Sequence, residues 1–272
     1  MKNFVHGIMV FSALAGVLTL SAQTPQPTGQ PASQPAAAPS APAAGMTADE
    51  IVAKHLAAIG GKDAISQVKS ISMETSIQVM GNEVPSTTVI ADGVGYKTET
   101  DFNGSKIVQC YNDKGGWNIN PMAGSADPAP MTDDEYNAGK EEIHMGGALY
   151  DYAAKGSKVE LVGKDDATYK IKLTSKENAE SVYTIDANTY FIKSATRKGK
   201  MQGQDVEVTT TFSDYRKTDV GYMIPYAMDV DFGGQFSLSI AVKKVELNKT
   251  IDPAIFEMPK PASAPTPAAS GL

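Results

Sequence analysis

The sequence predicts a mainly β chain, an antiparallel sandwich or barrel of roughly ten or eleven strands carrying two helical insertions. Three observations predict it. The stretch Val206 to Leu247 alternates apolar and polar residues through three successive runs; short alternating segments recur along the chain between Gly, Asn and Asp turns; and two capping boxes, Thr47 with Glu50 and Thr132 with Glu135, interrupt the β pattern.

In chain order, the first element is a leader. Residues 1–22 carry Lys2, an apolar run from Ile8 to Leu20 and then Ser21-Ala22, the pattern of a secretory signal whose apolar run is short for a membrane span. No cysteine follows it, so an N-terminal lipid anchor is not expected. Residues 23–45 form a Pro/Ala/Gln-rich linker with nothing apolar to fold around, and 260–272 form a matching tail. As polyproline II the linker reaches about 70 Å. One folded domain, residues 46–259, is expected between them.

That domain opens with a helix. The capping box at Thr47 leads into an apolar stripe of Ile51, Val52, His55, Leu56 and Ile59, stopped by Gly60-Gly61. His55, a lone histidine on or beside that stripe, is read as a packed helix residue rather than a ligand. Strands follow. Ile71, Met73, Thr75, Ile77 and Val79 alternate, a turn is placed at Gly81-Asn82 with Val79 opposite Val84, and Val84 to Ile90 returns in phase. Tyr96 to Glu99, Ile107 to Asn112 and Trp117 to Asn120 continue an antiparallel meander until Pro121. Met122 to Pro130 reads as a loop. A second helical stretch carries Tyr136, Ile143, Met145, Leu149 and Tyr152 and is broken at Gly146-Gly147, which suits either a hinge or an ordinary helix break. The meander resumes with Val159 to Val162, Tyr169 to Leu173, Val182 to Ile185 and Tyr190 to Lys198.

The last long segment presents one apolar face: Val206, Val208 and Phe212, then Ile224, Met228, Val230 and Phe232, then Phe236, Leu238, Ile240 and Val242. A three-residue loop, Gly233-Gly234-Gln235, sets Phe232 opposite Phe236, Val230 opposite Leu238 and Met228 opposite Ile240. A two-residue turn would instead face Val230 with Ser237 and mix polar with apolar residues. The phase changes after Val242, which places a β-bulge at Lys243-Lys244.

Composition narrows the function. The net charge of −7 argues against nucleic acid or an anionic membrane surface as the main partner. The single cysteine, Cys110, forbids an internal disulfide and a cysteine-based metal cluster, and its alternation with Val108 reads as a small buried hydrophobe. Neither His55 nor His144 sits in a metal-binding spacing, and no nucleophile-elbow or phosphate-loop motif is present, so neither a catalytic residue, a metal nor a cofactor is expected. The acidic clusters Asp133-Asp134-Glu135, Glu141-Glu142 and Asp165-Asp166 lack the calcium-loop pattern and read as solvated helix starts and loops. The methionines, among them Met73, Met80, Met145, Met223 and Met228, suit either a cavity for variable acyl chains or ordinary gap-filling.

Several phrases resemble a known group. They are Gly116-Trp117-Asn118-Ile119-Asn120-Pro121, Gly156 to Lys164, Tyr183-Thr184-Ile185-Asp186, Phe212-Ser213-Asp214-Tyr215-Arg216, Gly221-Tyr222-Met223-Ile224-Pro225 and Ile251 to Pro259. Their order resembles that of the outer-membrane lipoprotein-sorting superfamily of the LolA and LolB carriers. The resemblance implies a half-open antiparallel barrel covered by helices that enclose a hydrophobic cavity. It also implies a monomeric, non-catalytic periplasmic protein of the Gram-negative envelope. Such a protein holds lipoprotein or lipid acyl chains, meets donor and acceptor proteins and touches the membrane transiently. The expected cavity residues are Leu56, Met73, Ile77, Ile90, Trp117, Ile143, Leu149, Phe212, Met228, Val230, Phe232, Phe236, Leu238 and Ile240. The arginine that helps govern cargo release in the classical carrier has its nearest counterpart in Lys97, whose ammonium cannot reproduce a forked guanidinium contact. The alternative is a structural or interaction module of the envelope whose barrel is filled by its own side chains.

Overall fold

The computed structural model describes residues 45–121, 125–176, 178–201 and 204–260; the expected leader, nearly all of the linker and nearly all of the tail lie outside them. Thirteen strands form one antiparallel sheet: β1 Ser70–Val79, β2 Asn82–Ala91, β3 Gly95–Phe102, β4 Ser105–Asn112, β5 Gly116–Asn120, β6 Ser125–Pro130, β7 Lys158–Lys164, β8 Thr168–Thr174, β9 Glu180–Asp186, β10 Ile192–Met201, β11 Gln204–Lys217, β12 Met223–Phe232 and β13 Ser237–Leu247. Their order is β6-β5-β4-β3-β2-β1-β13-β12-β11-β10-β9-β8-β7, two meanders joined where β1 pairs with β13. The sheet does not close, since β6 and β7 are its two edges.

The strand count exceeds the expectation partly because Ser125–Pro130, read as a loop, is a strand on β5. Its prolines are tolerated at an edge, where the missing N–H would have faced no neighbour. The Gly233 hairpin has the expected register, with Val230 opposite Leu238 and Met228 opposite Ile240. The rings of Phe232 and Phe236 stack at 4.3 Å beside the loop. The bulge after Val242 is present as well, with Val242 opposite Thr75 but Lys244 opposite Glu74. The first hairpin is different. Met80 and Gly81, with φ of 51° and 80°, make the turn, and Ile77 rather than Val79 faces Val84. The pairing is displaced by two residues, which leaves every side chain on its expected face.

Helix α1, Ala48–Ala58, begins at the capping box on Thr47 and ends as Gly60 takes a φ of 118°. A short helix α2, Gly61–Gln67, follows it. The second capping box starts α3, Asp133–Gly139, which tightens into a 3-10 turn at Lys140–Ile143. Beyond it the expected helix is absent. Residues 144–156 are turns, because Gly146, Gly147, Asp151 and Gly156 all take positive φ and the i to i−4 ladder cannot form.

Apolar residues collect on both faces of the sheet. On the inner face, Ile77, Val79, Val84, Val208, Val230, Leu238 and Ile240 pack together, while Ile51, Val52 and Leu149 pack on Ile171, Leu173 and Ile185 of β8 and β9. On the other face of β3 to β5, Val108, Cys110 and Trp117 lie beneath Phe256 of the 3-10 turn Pro253–Phe256.

Candidate ligand pocket

The inner face holds a pocket of about 150 Å³. Helix α1 gives it His55 and, at its C-cap, Ile59; the Glu141 to Leu149 segment gives Glu142, His144 and the backbone around Gly146. From the sheet come Ile71, Met73, Thr88 and Tyr96 on one side, and Tyr183, Ile192, Phe212, Tyr215, Ile224 and Met228 on the other. Tyr96 on β3 and Tyr183 on β9 are seven strand spacings apart, about 34 Å in a flat sheet. Both line one pocket, so the sheet must be curled around it.

Local geometry explains how β11 contributes two neighbours in the wrong phase. Phe212 and Tyr215 both line the pocket, although strand alternation would put them on opposite faces. Asp214 between them takes a φ of 53°. That reverses the alternation, and the Tyr215 hydroxyl then donates to the Ile192 carbonyl at 2.9 Å.

Of the expected cavity residues, Met73, Leu149, Phe212 and Met228 are pocket walls. Leu56, Ile90 and Ile143 belong to the buried packing around the pocket without lining it. Ile77, Val230, Leu238 and Ile240, with Phe232 at their margin, are packed against one another in the half of the inner face that is filled. Phe236 is stacked on Phe232 at the hairpin and does not line the pocket. Trp117 lies on the opposite face, its Nε1–H donating to the Phe256 carbonyl at 2.9 Å. Lys97 accompanies it there, 2.7 Å from Glu99 and 5.7 Å from the centre of the Trp117 ring, because its side chain alternates with that of the pocket residue Tyr96.

The polar walls have no clear marker in the sequence. Glu142 is buried, whereas the Glu141-Glu142 pair had read as solvated. Tyr96 and Tyr183 are in phase with buried neighbours on their strands, and in-phase tyrosines carry hydroxyls inward. Burial pushes both hydroxyls upward in pKa; the Glu142 carboxylate is the next cause at Tyr96, whereas at Tyr183 the opposing Arg197 outweighs Glu142. Cys110 is the inert buried thiol expected of it, pushed up to about 12 chiefly by desolvation. Among the described residues no three His, Cys, Asp or Glu side chains gather in a way that could hold a metal ion, and no helix is long and apolar enough to cross a membrane.

His55 is packed, as read, but it also lines the pocket. Its Nδ1 hydrogen-bonds the Tyr190 carbonyl at 2.9 Å, and desolvation lowers its pKa below 6.5 despite that bond. Folding therefore favours the neutral ring. The contribution to stability is fully present above the unfolded-state value and is lost as the pH falls from there through the folded-state value. Wild type should lose stability on going from about pH 7.5 to about pH 5 by more than a His55→Gln variant does, at no more than about 1.4 kcal/mol per pH unit. Urea unfolding at the two pH values measures this, and equal losses would remove His55 from the account.

The architecture is a curled, unclosed antiparallel sheet with a pocket on its concave side. Solved structures of low sequence identity share this fold. A LolA superfamily protein from Nitrosomonas europaea superposes with a TM-score of 0.52 at 11% identity, over 78% of this chain and 98% of that one. A DUF1329 family protein from Desulfovibrio piger superposes with a TM-score of 0.53 at 15% identity, over 77% and 97%. No protein-family model and no curated protein matches the chain.

Proposed function

We propose that the chain is a non-catalytic carrier of acyl chains, of lipoproteins or of lipids, working as a monomer in the periplasm of a Gram-negative envelope. Its cargo moves toward the outer membrane between a donor and an acceptor protein, with transient membrane contact. The observation that carries this reading is the largely apolar pocket held between α1, the Glu141 to Leu149 segment and the curled sheet. The fold shared with a LolA superfamily protein agrees with it. Such transfer needs no covalent chemistry, only exchange of protein contacts for those of a membrane or receptor.

Ile192 is a half-buried pocket wall, so Ile192→Trp should fill the space with little disturbance of the core. Wild type should bind the neutral dye Nile red, and native mass spectrometry should show co-purified lipid. The variant should lose at least about tenfold in dye affinity, equivalent to about 1.4 kcal/mol, while keeping its unfolding midpoint. Undiminished binding by a folded Ile192→Trp protein would sink the pocket reading.

The self-packed cluster of Ile77, Val230, Leu238 and Ile240 favours a second reading, an envelope interaction module with a filled interior. A clean protein mass together with no dye binding would decide for it.

A further inference from the structure

The pocket wall is not apolar throughout. Tyr183 is 2% exposed and lines the pocket, yet its hydroxyl has no hydrogen-bond partner; Ser181 approaches it outside hydrogen-bonding geometry. Three other polar pocket groups are engaged. Thr88 donates to Thr98 at 3.4 Å, the Tyr215 hydroxyl holds the Ile192 carbonyl, and His55 holds that of Tyr190. Glu142, 8% exposed on the 3-10 turn, brings a carboxyl to the same pocket and acts electrostatically on Tyr183. Arg197 on β10 is the other charged group acting on that hydroxyl. Ile192, Phe212, Met223 and Pro225, by contrast, are only half-buried. Ile71, Met73 and Met228 are as buried as Tyr183 and Glu142, so one hydrogen-bonding spot lies within an otherwise largely apolar wall.

Building on the carrier reading, we propose that the pocket holds the head of its ligand at Tyr183 and Glu142. The ligand is an acyl or alkyl lipid whose head is neutral and carries a hydrogen-bond donor, a hydroxyl above all. The head donates to the Glu142 carboxyl and accepts from Tyr183, while the chain lies along Met73, Phe212, Met228 and Ile192. A buried hydroxyl left without a partner costs a site its desolvation, so a ligand that supplies the partner is selected over one that does not. A fatty-acid anion is disfavoured for another reason. Burying its carboxylate against the apolar wall would strip the charge of water.

The test is competition with Nile red on the full chain, using dodecanol, laurate and dodecane, which carry tails of similar length. Dodecanol should displace the dye at a concentration at least about tenfold below that of laurate or dodecane. Tyr183→Phe should weaken dodecanol toward the level of dodecane with an undiminished unfolding midpoint, since the lost oxygen has no hydrogen-bond partner in the protein. Equal displacement by dodecanol and laurate in the wild type, or an unchanged preference in Tyr183→Phe, overturns the head-group assignment while leaving an acyl carrier standing. If the dye does not bind, or no competitor displaces it, the carrier reading falls and the assignment with it.

Discussion

Replacing Phe256 with alanine should destabilise the protein by about 3–5 kcal/mol, read as a lower urea midpoint with an unchanged slope. Phe256 is 1% exposed although it stands within five residues of the end of the described chain, and several independent contacts hold it. Its carbonyl accepts from Trp117 Nε1 at 2.9 Å, from Asn112 Nδ2 at 3.1 Å and from the Cys110 thiol at 3.4 Å. Its ring sits where Gly95 has no side chain; a Cβ at that position would come within 2.3 Å of the ring. Alanine at 256 leaves the volume of a phenyl ring empty against Val108, Cys110 and Trp117. It also loosens the carbonyl that three donors share. Gly95→Ala attacks the same contact from the other side and should cost about 1–3 kcal/mol through overpacking. Because this cluster lies across the sheet from the pocket, the folded fraction of Phe256→Ala should still bind Nile red with wild-type affinity. A stability loss under about 1 kcal/mol would mean that the C-terminal segment rests on the sheet without holding it.

The contrast between what the sequence discloses and what it hides follows from the symmetry of strand pairing. At Gly233 the two candidate loops differ by one residue, and one of them turns Val230 and Leu238 toward different environments. The apolar pattern therefore selects the register, and the structure has it. At Gly81 the candidates differ by two residues and keep every face unchanged. Pattern could not decide between them, and the turn lies at Met80-Gly81 instead of Gly81-Asn82. The capping boxes at Thr47 and Thr132 were legible because each is a local exchange of hydrogen bonds. The cover after Ile143 was not. Apolar residues at helical spacing remain buried there, as Met145 and Leu149 are, even though the backbone is turned by left-handed glycines. The pocket was legible only as an apolar face. Which part of that face is filled depends on curvature, which brings β3 toward β9 across the strands between them. The inward turn of Glu142 had no marker in the linear chain, since Glu141-Glu142 resembles any solvated acidic pair.

The division of the inner face into a filled half and an open half yields the second large effect. Val230→Asp should abolish the cooperative fold or cost at least about 3–5 kcal/mol, against a total stability of about 5–15 kcal/mol for a typical domain. Val230 is 1% exposed and packed among Ile77, Val208, Leu238 and Ile240, with Thr210 opposite on β11 and Leu238 opposite on β13. An aspartate there is set among the side chains of this apolar cluster, so its charge is desolvated with little return. Asp229 and Asp231, on either side in sequence, already occupy the exposed face; Asp231 accepts from the Gly234 N–H at 3.0 Å. The strand could restore solvation to position 230 only by slipping one residue, which would bury both of these acids together. Asp229→Asn, on the exposed face, should change stability by no more than about 0.5 kcal/mol. Circular dichroism with urea titration of the two variants provides the comparison. A stable, cooperative Val230→Asp protein would show that this half of the face admits water, and the pocket would then extend from Met228 through the cluster now filled by Val230, Leu238 and Ile240.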